Sequence, residues 1–494
     1  MSDIFEPDLC STEIMAFQAV LCVQYSSWNE TKTIFAGAMK GIISLIGKTP
    51  MVEVTSFDTG RCRLFLKMES QNPGGSIKDR VALSMIQVAE DAGLIQRGSR
   101  IIEATAGNTG IGLALISVAK GFRLTLVIPD KMSREKIRHL RAMGAEIILT
   151  RSDVPKGHPQ YYQDLAESIQ KSDPGSFYVN QFANAANPLA HETTTGPEIY
   201  RDMKGHVDAV VCGVGSGGTI TGLSHYFAQQ APHVEMVLAD PVGSILAHYI
   251  DTGEVLPEAG SWIVEGIGED FIPSIADLSR VKKAYAISDQ DSCDTARALL
   301  VKEGILAGSS SGTLVAAALR YCREQTTAKN VVTFICDSGN KYLSKVYDDY
   351  WMRDEGFLPV EHFGDLRDVI GRSYGEGSVV YLREDETLQS AYSRMKIYDV
   401  SQLPVLQNER IIGIIDELDV LLNLKADREA MKRPVREIMT KELETLNPKA
   451  SIDAVLELLE KGLVPIVQEG AKFLGIITRM DVLNYLRRVK DNRL

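Results

Sequence analysis

Leu66–Arg80 reads LKMESQNPGGSIKDR, and the chain can be read outward from the one lysine that this stretch brings out of a glycine turn. Arg63 to Met68 suits a strand, and Asn72-Pro73-Gly74-Gly75 is a run of turn formers. Ser76 is placed to cap a helix whose apolar positions continue through Val81, Leu83 and Ile86. Lys78 then falls in the first turn of that helix. A primary amine held there, over a βα loop and beside a cofactor pocket, can be desolvated enough to lose its proton and attack an aldehyde. This makes Lys78 a candidate Schiff-base lysine. The plainer alternative is a solvated first-turn lysine paired with Asp79, and the rest of the chain has to decide between them.

From Gly41 to about Trp351, short β-branched runs alternate with helical patterns. The expected strands are Arg100 to Glu103, Leu124 to Ile128, Glu146 to Thr150, Ala209 to Cys212, Met236 to Ala239 and Val331 to Cys336. Amphipathic stretches lie between them, among them Ser133 to Met143, Tyr162 to Lys171, Asp289 to Leu300 and Thr313 to Arg323. The alternation predicts an α/β domain with parallel sheets covered by helices, and ligands at the C-terminal ends of the strands. After Trp351 a shorter, more charged passage with Gly356, Pro359 and Gly364 reads as a linker. Beyond it the chain repeats itself: LPVLQNERIIGIIDELDVLLNL from Leu403 aligns with VPIVQEGAKFLGIITRMDVLNYL from Val464, and Leu366 to Ile370 resembles Val435 to Met439. Two units in tandem predict a pseudo-symmetric pair, because each half alone would leave an apolar sheet face uncovered. The expected organisation is an N-terminal extension over 1–40, a catalytic domain over 41–351, a linker over 352–364, and two small domains over 365–425 and 432–494.

A chain of 494 residues exceeds what one core supports and predicts roughly three domains. Its net charge is -12, from 53 basic and 65 acidic residues, with no concentrated Lys/Arg stretch, which argues against nucleic acid or an anionic membrane as partner. Seven scattered cysteines without a C-x-x-C pair fit a reducing compartment and speak against a metal site or a disulfide framework. Ile14 to Val23 is too short to span a bilayer and follows acidic residues, and the first basic residue is Lys32, so the expected location is the cytoplasm. The apolar clusters Met15 to Val23 and Ile34 to Met39 are expected to cover another surface rather than form a site.

Three further glycine-bearing loops open helices. Glu103 to Gly112, EATAGNTGIG, offers hydroxyl and amide groups at Thr105, Asn108 and Thr109 beside helix N-terminal N–H groups, which suits a carboxylate such as that of an amino acid. Gly213 to Gly222, GVGSGGTITG, lets backbone N–H groups converge on an anion, with Ser216 and Thr219 as added donors. It lacks the Gly-Lys-Ser/Thr of a nucleotide loop and the spacing of the dinucleotide fingerprint, so the phosphate it suits can belong to a cofactor. Gly304 to Gly312, GILAGSSSG, places a neutral hydroxyl such as Ser310 where it can meet a pyridine nitrogen without protonating it, a choice suited to β-elimination and replacement.

In this order the four stretches resemble the β family of pyridoxal-phosphate enzymes (fold type II), which contains cysteine synthase, cystathionine β-synthase and tryptophan synthase β. The resemblance covers roughly Gly41 to Trp351. It implies that pyridoxal 5'-phosphate is the cofactor, that Lys78 carries it, that Asn108 contacts its ring hydroxyl, and that Gly215, Ser216, Gly217, Gly218 and Thr219 hold its phosphate. Ser310 would meet the pyridine nitrogen, and Thr105, Thr109 and Gln181 the substrate carboxylate. Ala106 stands in the substrate loop where the family usually has serine, which removes one hydroxyl contact.

Two features point to different branches of that family. Val264 to Pro273 reads VEGIGEDFIP and looks like the cystathionine form, with Glu265 and Asp270 as carboxylates able to position a leaving hydroxyl or the amino group of homocysteine. Asn180-Gln181-Phe182 followed by Thr194-Thr195-Gly196-Pro197-Glu198 is closer to cysteine synthase, and a phenylalanine cannot donate a proton. The C-terminal repeats resemble the paired regulatory modules named after cystathionine β-synthase, which implies an adenosyl effector such as S-adenosylmethionine. Thr478 and Asp481 of the second copy could meet a ribose; the first copy keeps Asp419 but has Asp416 in place of the threonine. The first histidine is His139, and Cys10 and Cys22 have none nearby, so no haem is expected. The resemblance as a whole implies joining a serine-type donor to homocysteine, giving cystathionine, with Glu265 and Lys78 as catalytic groups, in a homodimer or homotetramer. The alternatives are a cysteine synthase using O-acetylserine and sulfide, and a catalytically silent, adenosyl-responsive scaffold.

Overall fold

The computed structural model describes residues 41–105, 107–130, 134–359 and 361–490. The N-terminal extension and Ala106 lie outside the described residues. The chain divides into two units, 1–342 and 343–494.

The first unit holds two sheets. The larger runs in the order Met51–Glu53, Arg63–Lys67, Asn330–Phe334, Ala209–Cys212, Glu235–Pro241, Val281–Ile287, with every pair parallel except the first. Its central strands are near-continuous apolar runs, with Leu64, Leu66, Val210, Val211, Leu238 and Val331 buried, because helices cover both faces. The smaller sheet is parallel throughout, in the order Glu146–Thr150, Arg123–Pro129, Arg100–Ala104, Ser176–Tyr178. Since neighbouring strands point the same way, the loops after Lys67, Cys212 and Phe334 leave one edge of the larger sheet together. The loops after Ala104 and Tyr178 likewise leave one edge of the smaller sheet. Parallelism thus gathers the lysine and glycine-rich loops at one edge and the substrate loop with Gln181 at the other, whereas the serine loop follows the helix Asp289–Glu303 and not a strand.

The expected strands and helices are present, several of them longer than the periodicity suggested. Three strands were not foreseen: Met51–Glu53, Ser176–Tyr178 and Val281–Ile287. The strand expected to run to Cys336 stops at Phe334, because Ile335 and Cys336 turn to bond the lysine loop instead: Ile335 N donates to Lys67 O (3.0 Å) and Ile77 N to Cys336 O (2.9 Å). The helix expected from Thr313 begins at Ser309, which places the serine loop in its first turn. One expectation is corrected. Ile77, not Ser76, precedes the helix Lys78–Asp91, and no side chain caps it; Ser76 Oγ only accepts a 3.3 Å bond from Lys78 N.

The second unit holds two three-stranded sheets, Leu382–Arg383 with Gln402–Gln407 and Arg410–Asp416, and Thr445–Leu446 with Ile466–Glu469 and Lys472–Ile476. The repeats exchange short segments. A Cβ on Gly475, in the second copy, would lie 2.6 Å from Ile370, and one on Gly413, in the first, 2.4 Å from Met439. The chain entering each copy therefore seats its last apolar residue on the glycine of the other, which closes the sheet face that one copy alone would expose. Among the described residues no helix is long and apolar enough to cross a membrane.

Candidate active site

Lys78 opens the helix Lys78–Asp91. The residue is half-buried, but desolvation of its amine lowers the pKa from the ordinary lysine value, with Cys336 and Glu269 nearby pulling the other way. Among the described residues no group accepts a hydrogen bond from that amine. The plainer reading, a pair with Asp79, fails because Asp79 is buried and turned back to take Gly74 N, and burial raises its pKa to about 6.

Two residues past Lys78, the guanidinium of Arg80 is buried between two carboxylates. It donates to Glu69 at 2.7 and 2.8 Å and to Glu198 at 2.9 and 2.8 Å. Lys67, fully buried, adds ion pairs to Glu198 (3.0 Å) and Asp202 (3.1 Å) and donates to Thr49 O (2.6 Å). Against the cost of burial, these bonds hold the Glu198 carboxyl down at about 2. This network ties the strand before the glycine turn to the helix after it and was not foreseen, because charged residues in sequence read as surface.

The glycine-rich loop lies between the strand Ala209–Cys212 and the helix Gly218–Gln230. Gly217 has φ 87°, and a Cβ on Gly218 would come within 1.9 Å of Asn187 Oδ1, so neither place tolerates a side chain. Ser216 Oγ accepts from Asn187 Nδ2 (2.9 Å), and Thr219 Oγ1 lies 3.2 Å from His191 Nε2. Burial keeps His191 well below the ordinary histidine pKa, leaving it neutral beside this cradle. Asn187 Oδ1 is buried with no hydrogen-bond partner among the described residues.

The segment Asp337–Tyr342, absent from the sequence reading, joins the other loops. Ser338 N donates to Gly75 O (3.2 Å) and Gly308 N to Asp337 O (3.1 Å), which splices the lysine turn to the serine loop. Asn108, first in the helix Asn108–Lys120, donates from Nδ2 to Asp337 Oδ2 (2.8 Å) and accepts at Oδ1 from Lys341 (2.7 Å). Ser310 is buried beside Cys336, whose thiol burial pushes up to about 12. Ser309 Oγ accepts from Glu265 N (3.2 Å), and the Glu265 carboxylate pairs with Lys136. Lys136 in turn stands over the Tyr342 ring (4.9 Å) and 3.7 Å from where a Gly107 Cβ would be. Glu265, Ser310 and Asn108 therefore converge, together with Lys136 and Lys341, which sequence did not single out.

In the substrate loop Thr109 Oγ1 donates to Gln181 Oε1 (2.7 Å), and Thr105 Oγ1 accepts from Gly107 N (3.3 Å). Behind them burial raises Glu103 to about 8, against bonds from the Gln181 and Asn180 backbone. The two features that point to different branches touch: the Phe182 ring packs on Phe271 of the acidic loop at 5.8 Å, and Ser274 Oγ donates to Phe182 O (3.0 Å). The acid whose charge reaches Lys78 is Glu269, between the two carboxylates singled out from sequence.

In the second unit Asp416 and Asp419 form a capping box, and Thr478 and Asp481 repeat it: Thr478 N and Oγ1 donate to Asp481 Oδ2 (2.7 and 2.6 Å). Asp419, Thr478 and Asp481 thus stand at two equivalent helix N-termini, where capping already employs them.

The chain matches the family described as pyridoxal-phosphate dependent enzyme over residues 42–337, and the CBS domain over 372–426 and 435–488. The cystathionine beta-synthase of Apis mellifera is 33% identical over 497 aligned residues, 98% of this chain and 96% of the relative. Cysteine synthase A of Escherichia coli (strain K12) is 41% identical over 304 residues, 60% of this chain and 92% of the relative. Among solved structures, an O-acetylserine dependent cystathionine beta-synthase from Helicobacter pylori superposes with a TM-score of 0.58 at 34% identity, over 62% of this chain and 98% of that one. The chain therefore belongs to the pyridoxal-phosphate dependent enzyme family, with tandem CBS domains following the catalytic part. The donor set fits the cofactor this family implies: a desolvated amine for an aldehyde, a glycine-rich cradle with two hydroxyls at a helix N-terminus for a phosphate, and a buried neutral hydroxyl for a ring nitrogen.

Proposed function

We propose that this chain joins a serine-type donor to homocysteine by pyridoxal-phosphate-dependent β-replacement, giving cystathionine. The observation that carries the chemistry is the desolvated Lys78 amine, which shares one pocket with Ser310 through Cys336. Bound pyridoxal phosphate supplies an aldehyde that condenses with amines and a ring that takes up the electron pair left by a departing α-proton. The protein does the rest. Gly215, Ser216, Gly217, Gly218 and Thr219 hold the phosphate and Asn108 the ring oxygen. Ser310 meets the ring nitrogen as a neutral partner, which leaves electron density available for expelling a β-substituent. Thr105, Thr109 and Gln181, with the loop through Ala106, receive the donor's carboxylate. Lys78 Nζ, its pKa lowered by burial, removes the α-proton, delivers it toward the leaving group, and returns a proton once the acceptor sulfur has added.

Glu265, held by Ser309 and Lys136, favours an amino-acid acceptor, since the Lys136–Glu265 pair offers complementary charges to a zwitterion. Phe182 favours the second reading, a cysteine synthase acting on O-acetylserine and sulfide, because it gives a hydroxyl leaving group no proton donor. A steady-state comparison pairing serine or O-acetylserine with homocysteine or sulfide separates the two. The expected result is cystathionine, with the higher kcat/KM for homocysteine. Phe182→Tyr is expected to raise the use of serine relative to O-acetylserine by roughly tenfold, the worth of one added hydrogen bond. If cysteine from O-acetylserine and sulfide dominates in the unaltered protein, the primary reading is wrong.

For the second unit we infer an adenosyl effector such as S-adenosylmethionine, and assembly into a homodimer or homotetramer. Leu418 and Leu421 are exposed on one helix and Met480 and Leu483 at the equivalent places of its repeat, which supports pairing of like faces. Calorimetric titration with S-adenosylmethionine, followed by sedimentation with and without it, is expected to give saturable heat and a particle larger than one chain. No heat would leave the modules with assembly alone, and a monomer would remove that too. The scattered cysteines, with no C-x-x-C pair in the sequence, support a cytoplasmic setting, and a visible-edge absorption band on the purified protein would dispose of a silent scaffold.

A further inference from the structure

The Asn108 amide is held between two opposite charges. Its Oδ1 accepts from the Lys341 ammonium (2.7 Å), and its Nδ2 donates to the Asp337 carboxylate (2.8 Å). Neither partner is free to drift. Lys341 also donates to Gly74 O and Gly75 O, each at 3.3 Å, so its three hydrogens are all engaged and it bridges the turn before Lys78 to Asn108. Asp337 is fully buried, takes a second bond at Oδ2 from Tyr342 OH (2.8 Å), and is fixed by its own backbone through Gly308 N. Turning the amide over would set its N–H groups against the ammonium and its oxygen against the carboxylate, two mismatches at once in a site with little water to relieve them.

We propose that Lys341 is a positioning residue for the cofactor: with Asp337 it locks the Asn108 amide so that the remaining Nδ2 hydrogen is what the pocket offers to the cofactor's ring oxygen, and its positive charge favours that oxygen deprotonated. This rests on reading Asn108 as the ring-oxygen contact. An amide in water turns over and offers oxygen or nitrogen alike. Here the choice is made before the cofactor arrives, and the same ammonium that makes it holds the glycine turn carrying Lys78.

The test uses full-length protein, the unaltered chain beside Lys341→Met, Lys341→Arg, Asn108→Ala and the double variant Lys341→Met/Asn108→Ala. The readouts are the absorption spectrum of the holoenzyme, the affinity of the apoprotein for pyridoxal phosphate by fluorescence titration, and the thermal midpoint of the apoprotein. Lys341→Met is expected to move absorbance from the visible-edge band to the near ultraviolet and to weaken cofactor binding by roughly tenfold or more, as loss of a charge-assisted bond does. Lys341→Arg, which keeps the charge, should recover much of the visible band, and the double variant should lose clearly less than the two single changes combined. The inference is overturned if Lys341→Met lowers only the apoprotein midpoint and leaves spectrum and affinity as they were, or if the two single changes add independently. An unaltered chain that takes up no pyridoxal phosphate and shows no visible band would instead sink the functional reading, and this inference with it.

Discussion

Replacing Lys78 with alanine is expected to lower kcat by at least about a thousandfold and to abolish the visible-edge band of the cofactor, while leaving the fold as stable as before or slightly more so. The first two effects follow from chemistry. No other side chain in the pocket combines a desolvated amine with a place in the first turn of the helix Lys78–Asp91, and a missing proton-transfer group alone accounts for a loss of about a hundred to ten thousandfold. The third effect follows from structure. The amine makes no hydrogen bond to any described residue, and burial already lowers its pKa, so the folded chain bears a desolvation cost that alanine does not have. Kinetics, the absorption spectrum and thermal unfolding of the apoprotein check the three parts separately. Turnover near that of the unaltered chain would remove Lys78 from the mechanism. A collapse of the midpoint would make it a structural lysine.

What the sequence made legible and what it hid divide along a physical line. Central strands such as Ala209–Cys212 show themselves because parallel sheets are buried on both faces and read as unbroken apolar runs. Val281–Ile287 lies at the edge of the same sheet, exposes Lys282 and Lys283, and carries no such signal. The loops that hold Lys78, Asn108, Gly217 and Ser310 were visible because close backbone approach and helix N-termini demand glycine and small polar residues locally. The segment Asp337–Tyr342 demands nothing locally: its role arises from bonds to residues more than two hundred positions away, as from Lys341 to Asn108. Thr478 and Asp481 teach the converse. Their pattern was read for a ribose, yet the same two residues cap a helix with short bonds, so the motif has a structural use before any ligand.

The burial of Arg80 leads to the other large effect. Arg80→Met is expected to destabilise the catalytic unit by about 3–5 kcal/mol, since it keeps the volume but leaves Glu69 and Glu198 buried without the guanidinium that four hydrogen bonds tie them to. Adding Glu69→Gln and Glu198→Gln should return much of that loss, because the penalty belongs to uncompensated charge and not to the missing bonds themselves. Acid makes the same point without mutation. Glu198 releases its proton at about 2 in the folded chain against 4.5 ordinarily, so its contribution, roughly 3 kcal/mol, is fully present above pH 4.5 and is lost as pH falls toward 2. Unfolding midpoints of the unaltered chain should therefore drop steeply between pH 4.5 and 2. In Arg80→Met the Glu198 carboxyl no longer holds that low pKa, and the drop should flatten. A variant that unfolds along the same acid profile as the unaltered chain would show that the network does not set this stability. The consequence reaches the chemistry, because Arg80 lies two residues beyond Lys78 in the first turn of the same helix: as Glu198 protonates, that turn loses part of its anchor.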